Sequence, residues 1–124
     1  MELVSESYVL EKKSKFYGFL YIVNSIDEVE NILSKIRKEH KKCKHIVYAY
    51  KIGSYEKKYE DKEPSNTAGK PILDVIHFNN LDNTLIIVVR YFGGTLLGAG
   101  LLARTYSKAA RELIKWTHIF SSWI

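Results

Sequence analysis

The stretch LIIVVRYFGGTLLGAGLLARTY, residues 85–106, contains the strongest structural pattern in this chain of 124 residues. Five consecutive apolar residues before Arg90 are typical of a central strand that is covered on both faces. The segment that follows is rich in glycine, at Gly93, Gly94, Gly98 and Gly100. Glycine lets the backbone approach a partner closely or take positive φ. The stretch therefore predicts a buried strand, a glycine-rich turn that is a candidate site for a polar ligand or partner, and the start of a helix.

A second pattern, DKEPSNTAGKPIL at residues 61–73, predicts a polar loop followed by a short helix with Pro71 in its opening turn. The loop offers one carboxylate, two hydroxyls and a cation, from Glu63, Ser65, Thr67 and Lys70. Such side chains usually cap the next helix or stabilise turns. A nucleophile pair of serine and lysine would also need an oriented base and an oxyanion hole, and the sequence identifies neither. We therefore assign no catalytic residue here.

Periodicity along the rest of the chain predicts the order β-β-α-β-β-α-β-α. A capping box of Ser25 and Glu28 opens the first helix, which we expect to run to about His40. The other expected elements are strands at 7–10, 15–23, 45–51, 56–59 and 85–90, a short helix from Pro71, and a last helix that starts between Thr95 and Gly100.

The last helix separates an apolar stripe from a basic one. The apolar stripe consists of Leu102, Tyr106, Ala109, Leu113 and Trp116. The basic stripe consists of Arg104, Lys108, Arg111 and Lys115. Four cations in line are able to track a phosphate backbone, but a solvated helix face has the same pattern, and the sequence leaves both interpretations open.

Both long motifs resemble the family called YigZ or IMPACT N-terminal domain. Its hallmark is an Arg-Tyr-Phe-Gly-Gly run, then Leu-Gly-x-Gly-x-Leu and Arg-x-Tyr, and all of these letters occur at residues 90–106. Its second block has glycines where this chain has Lys62 and Asn66. Asparagine tolerates the left-handed backbone, whereas Lys62 indicates a turn that does not strictly need positive φ. With a weaker block at residues 13–16, the resemblance covers about residues 13–110.

The resemblance implies a fold shared with the second domain of a small-subunit ribosomal protein and with domain IV of elongation factor G. We therefore expect an α+β, two-layer sandwich in which helices lie on one face of a four-stranded mixed sheet. We also expect residues 1–124 to form a single domain of the YigZ/IMPACT N-terminal type, without the C-terminal ferredoxin-like domain of longer relatives.

Composition limits the classes of function. Nineteen Lys and Arg against fourteen Asp and Glu give a net charge of +5, which favours anionic partners. No apolar run approaches the ~18 residues of a membrane span, so we expect a cytoplasmic protein that has no contact with a membrane. A lone Cys43 excludes an intrachain disulfide, and the four histidines lack the spacing of a zinc site. We therefore expect no metal and no cofactor.

Two further patterns concern nucleotides and nucleic acids. Residues 98–103 satisfy the dinucleotide fingerprint, but the strand spacing and the second parallel strand that it requires are missing. Tyrosines such as Tyr91 would stack on unpaired bases if they were exposed among lysines, although half-buried strand tyrosines are the commoner case. A basic run at residues 35–44 also complements the negative end of the first helix dipole.

The resemblance links the chain to translation and stress, because IMPACT members of eukaryotes restrain the starvation-response kinase by competing for its activator. We expect a non-enzymatic binding module whose partner is RNA, the ribosome or a translation factor. Its expected surface comprises Glu63, Ser65, Thr67, Lys70, Arg90, Gly93, Gly94, Gly98, Gly100 and Arg104. Leu96 stands where the family usually has lysine, which removes one cation from this surface. The alternative is a small enzyme or nucleotide-binding protein that holds a small anion or phosphate at the glycine loop.

Overall fold

The computed structural model describes residues 2–121, with side chains described for residues 2–114. It contains one five-stranded sheet in the order β1-β2-β5-β3-β4, in which every neighbouring pair is antiparallel. Along the chain the elements are β1 (Glu2–Glu11), β2 (Ser14–Ile22), α1 (Ile26–Glu39), β3 (His45–Ile52), β4 (Tyr55–Tyr59), α2 (Gly69–Phe78), β5 (Thr84–Tyr91) and α3 (Ala99–Ser121). This is the chain order β-β-α-β-β-α-β-α.

The expectation of a four-stranded mixed sheet with helices on one face was wrong. The α+β class holds, but the sheet has five antiparallel strands and helices on both faces. Alternate residues of β5 enter two separate cores: Ile86 and Val88 pack with α2 and α3, while Ile87 and Val89 pack with α1. A strand that is apolar at every position needs cover on both sides, and α1 supplies the second layer.

The first helix forms as its capping signal predicts. Ser25 is the N-cap, and its hydroxyl accepts a hydrogen bond of 3.2 Å from the backbone N–H of Glu28. The apolar stripe of α1, which is Val29, Ile32, Leu33 and Ile36, is fully buried. The helix therefore lies with this stripe against the sheet.

The hairpin between β1 and β2 is closed by only two residues, Lys12 and Lys13, with φ of 46° and 69°. Two-residue loops need left-handed backbone at both positions, which is why Asn-Gly is the usual choice. Gly93 lies against this loop: a Cβ at Gly93 would overlap the backbone of Lys13. The Gly93 N–H donates to the buried hydroxyl of Ser14 at 3.1 Å. Gly93 therefore makes the close backbone approach that its residue type allows, while Gly94 and Gly98 take positive φ of 94° and 77°.

Among the described residues, no helix combines the length and the apolar character that a membrane crossing needs.

Candidate functional site

The two motifs meet at a buried ion pair between the loop after β4 and the end of β5. The Arg90 guanidinium donates through Nη1 to both carboxylate oxygens of Glu63, at 3.0 and 2.8 Å. The side chains of Arg90 and Glu63 are only 6% and 3% exposed. The rings of Phe16 and Phe92 flank the guanidinium, at 5.5 and 5.9 Å from its central carbon. Because both charges are removed from water, each depends on the other for compensation.

Two further elements contact the same carboxylate. Tyr106 on α3 donates its hydroxyl to Oε2 of Glu63 at 2.5 Å. Burial, together with the charge of Glu63, raises the pKa of Tyr106 well above 10, so the phenol stays a donor at neutral pH. His45 on β3 places Nε2 3.4 Å from Oε1 of Glu63. The carboxylate therefore joins β3, β5 and α3, and we call these four residues the Glu63 cluster.

A strained turn aims Glu63 inward. Asp61 and Lys62 have φ of 46° and 67°, and Asp61 Oδ2 accepts the backbone N–H of Ile46 at 2.7 Å. The carbonyl of Asp61 bonds Nδ1 of His45 at 2.6 Å. The expectation that Lys62 would not need positive φ was wrong, because the side chain of Asp61 holds the turn in the left-handed region. Asn66 is left-handed as well, with φ of 62°.

The start of α2 is already occupied by a carboxylate of the chain itself. Glu60 accepts hydrogen bonds from the backbone N–H groups of Ala68, Gly69 and Lys70, at 2.8, 2.7 and 3.1 Å. The helix dipole favours an anion in this position. Sequence reasoning assigned capping to the polar loop in general and did not single out Glu60, because a cap eight residues upstream has no local signature. Thr67 instead closes the turn by donating to the carbonyl of Pro64 at 2.5 Å.

The expected site residues fall into separate groups. Glu63 and Arg90 are buried together, and the buried Thr67 follows on the same loop. Lys70 and Arg104 both line a groove between α2 and α3. Ser65, Gly94, Gly98 and Gly100 are exposed, and Gly93 lines a different pocket beside Tyr91. The motifs do share the α2–α3 side of the sheet, but they do not line one cavity.

The α2–α3 groove has a volume of about 1030 Å³. Its apolar lining includes Val75 and Ile114, and Phe78 projects from α2 with 88% of its surface exposed. The cations at the groove are Lys70, Arg104 and Arg111, and its acids are Asp74 and Glu112. Lys70 pairs with Asp74 at 3.0 Å, whereas neither arginine forms an ion pair with any residue described. Two uncompensated cations therefore stand beside an apolar surface.

The two-faced character of α3 is confirmed where side chains are described. The residues Leu102, Tyr106, Ala109 and Leu113 are buried. On the other face Arg104, Lys108 and Arg111 are exposed. The predicted members Lys115 and Trp116 lie outside the residues whose side chains are described.

The described residues bring together neither a serine–lysine pair nor a group of metal ligands. Lys70 bonds Asp74, and no hydrogen bond joins it to Ser65 among the residues from 2 to 114. The same residues contain no group of three or more His, Cys, Asp or Glu that could hold a metal ion. His45 lies on strand β3, where its Nδ1 is hydrogen-bonded to the carbonyl of Asp61. The periodicity of the last helix assigned Tyr106 to the apolar stripe alone. Its place in the Arg-x-Tyr motif was the sequence signal for its additional contact with Glu63.

Comparison with known proteins identifies relatives. A family model described as the Impact N-terminal domain matches residues 12–114. IMPACT family member YvyE of Bacillus subtilis is 40% identical over 110 residues, which cover 86% of this chain and 51% of that protein. IMPACT family member YigZ of Escherichia coli is 29% identical over 109 residues, which cover 84% of this chain and 53% of that protein. This chain thus spans about half the length of these curated relatives.

Two solved structures share the fold. A crystal structure of a hypothetical protein superposes with a TM-score of 0.87 at 28% identity, over 92% of this chain and 57% of that one. The two-domain translational regulator Yih1 superposes with a TM-score of 0.56 at 24% identity, over 90% of this chain and 45% of that one. The second likeness shows the fold alone.

Proposed function

Since this chain belongs to the Impact N-terminal domain family, we propose that it is a non-enzymatic binding module of translation, with RNA, the ribosome or a translation factor as its partner. The structural neighbour Yih1, which is described as a two-domain translational regulator, shares the fold of this chain. The positive net charge of +5 suits the phosphate-rich surface of a ribosome.

The observation that carries the proposal is the pairing of free cations with an apolar surface at the α2–α3 groove. Arg104 and Arg111 have no carboxylate partner among the described residues, and Phe78 is 88% exposed beside them. Exposed apolar surface rimmed by charge is typical of interaction sites. Lys108 extends the exposed basic surface along α3. We call Arg104, Lys108 and Arg111 the α3 basic face and propose that it contacts phosphates or acidic side chains of the partner.

The Glu63 cluster supports binding rather than catalysis. Its carboxylate is buried and contacted by Arg90, Tyr106 and His45, so no free acid or base faces solvent there. The amides at the start of α2 are occupied by Glu60, so that helix start does not offer a free anion site. The alternative, a small enzyme or phosphate-binding protein, would use the glycine loop before α3 instead. We therefore assign the cluster to holding the loop and the strand end in place beside the groove.

The test is the salt dependence of binding to purified ribosomes. Each cation that neutralises a phosphate contributes nearly one unit to the slope of log K against log salt. Changing Lys108 and Arg111 to Gln should therefore flatten the slope by roughly two. Folding should change little, because both side chains are exposed.

The matched control is Lys57→Gln with Lys58→Gln, which removes the same charge from β4 at the far edge of the sheet. This pair should leave the slope nearly unchanged. Equal slopes in the wild type and the α3 variant, with intact folding, would mean that the α3 basic face is merely solvated.

A further inference from the structure

The sheet has a second exposed surface, on the side of α1. The strand register places Tyr8 opposite Tyr17 and Lys15 opposite Tyr91. Tyr17 and Tyr91 border the core under α1 and are only partly buried. Tyr8 on the edge strand β1 is 51% exposed. The α1 side of the sheet therefore stays open where β1 meets β2.

Aromatic rings are contiguous across this open surface. Ring centroids of Tyr8 and Tyr17 are 5.1 Å apart, and those of Tyr17 and Tyr91 are 5.7 Å apart. The hydroxyl of Tyr91 bonds Nδ1 of His40 at 2.6 Å, which fixes the ring. Phe92 comes next in the chain with 46% of its surface exposed, and its ring packs beside the Arg90 guanidinium of the Glu63 cluster. We call Tyr8, Tyr17 and Tyr91 the aromatic platform.

The platform borders a pocket of about 640 Å³, lined by Lys13, Lys15, Tyr17, His40, Tyr91, Phe92 and Gly93. This volume is within the range of small-ligand sites. Both lysines are exposed, and neither has an ion-pair partner among the described residues. His40, which belongs to the basic run at residues 35–44, also lines this pocket.

Lys13 is held in a conformation that suits glycine better. Its φ of 69° is left-handed, and the backbone of Gly93 packs directly against it. The two-residue hairpin imposes this backbone on Lys12 and Lys13 alike. It places Lys13 at the rim of the pocket.

We propose that the aromatic platform binds single-stranded nucleic acid, with bases stacked on Tyr8 and its neighbours and phosphates held by Lys13 and Lys15. Base stacking on exposed rings beside lysines is the common mode of strand recognition, and it tolerates any sequence. The platform extends from β1 across β2 to β5, which is wider than one nucleotide. A strand therefore matches this surface better than a free nucleotide does. The inference rests on the proposed role in translation only in its choice of RNA as the probe.

The test is fluorescence anisotropy with a labelled single-stranded oligouridylate of twelve residues. Tyr8→Ala, which leaves the contact of Phe92 with Arg90 intact, should weaken binding by about 5- to 150-fold, the usual effect of losing one stacked base. The double variant Lys13→Gly with Lys15→Gln should lower the salt slope by about 1.4, since each phosphate contact to a single strand contributes ~0.7. The same double variant should unfold at a higher temperature, because glycine relieves the left-handed strain at position 13.

The control is again Lys57→Gln with Lys58→Gln, which makes the same change in charge at the opposite edge of the sheet. Equal losses of affinity in the two double variants would overturn the proposal, because only net charge would then matter. Unchanged affinity in Tyr8→Ala, or saturable binding of uridine monophosphate as tight as that of the oligomer, would also overturn it. The helix α3 packs on one face of the sheet, whereas Tyr17 and Tyr91 border the core on the other face, so each of the two sites can fail without the other.

Discussion

The buried pair of Glu63 and Arg90 yields the sharpest quantitative prediction. Glu63→Gln preserves the shape of the side chain but leaves the guanidinium, 6% exposed, without a counter-ion. Removing one partner of a buried pair costs about 3–5 kcal/mol of unfolding free energy. The hydrogen bond from Tyr106 also loses its charged acceptor, but its cost belongs to the same coupled cluster and is not added separately. We expect equilibrium urea unfolding to show a loss in this range.

The matched control is Asp74→Asn at the surface pair with Lys70. The Nζ of Lys70 and the Oδ2 of Asp74 are 3.0 Å apart, close to the 2.8 Å of the buried pair. The side chains of Lys70 and Asp74, however, are 48% and 58% exposed. Exposed pairs contribute about 0–1 kcal/mol, so this variant should lose no more than that. The double variant Glu63→Met with Arg90→Met should lose clearly less than the sum of its single variants, because no buried charge remains. Losses in Glu63→Gln and Asp74→Asn that agree within about 0.5 kcal/mol would refute the reasoning.

Two more predictions concern the same region. Tyr106→Phe should lower the free energy of unfolding at pH 8 by about 1.5–3 kcal/mol, because it removes the hydrogen bond to the charged Glu63. Because burial and Glu63 raise the pKa of Tyr106 above 10, its contribution is fully present below pH 10 and is lost as pH rises through the raised value. The stability gap between the wild type and Tyr106→Phe should therefore narrow above pH 10 in urea titrations, and a gap that widens would contradict the burial argument. Gly93→Ala should lower the free energy of unfolding by at least ~2 kcal/mol, because its Cβ would overlap the Lys13 backbone. Gly94→Ala should lower it by about 1 kcal/mol, because its Cβ meets no atom within 4 Å but its φ is 94°. Equal thermal shifts in the two glycine variants would remove the role of the close contact.

Local signals in the sequence were sufficient for much of the fold. The capping box at Ser25 and the apolar spacing of α1 act within a few residues, so pattern alone predicts them. The uninterrupted apolar run of β5 correctly indicated cover on both faces. The family resemblance implied helices on one face only, which conflicts with that run. The run predicted the helices on both faces correctly.

The candidate site was less predictable, because its contacts join distant parts of the chain. Glu63 reaches Tyr106 across 43 positions, and Glu60 caps a helix that begins nine residues later. Neither contact has a local spacing rule. The prediction for Lys62 failed for a related reason. The hydrogen bonds that hold its turn join Asp61 to His45 and Ile46 of the earlier strand β3. The role of each aromatic residue depends on its exposure, which the sequence pattern does not give. The structure shows that Phe92 is 46% exposed, whereas Phe16 is fully buried.

The measurement that tests the proposed function most directly is co-sedimentation of the chain with purified ribosomes over a range of salt concentrations. The account predicts saturable binding that weakens as salt rises, with a slope that Lys108→Gln and Arg111→Gln together reduce by roughly two. It also predicts that Lys57→Gln with Lys58→Gln binds with a slope close to that of the wild type. Failure of the wild-type chain to sediment with ribosomes at low salt, or identical slopes in all three proteins, would contradict it.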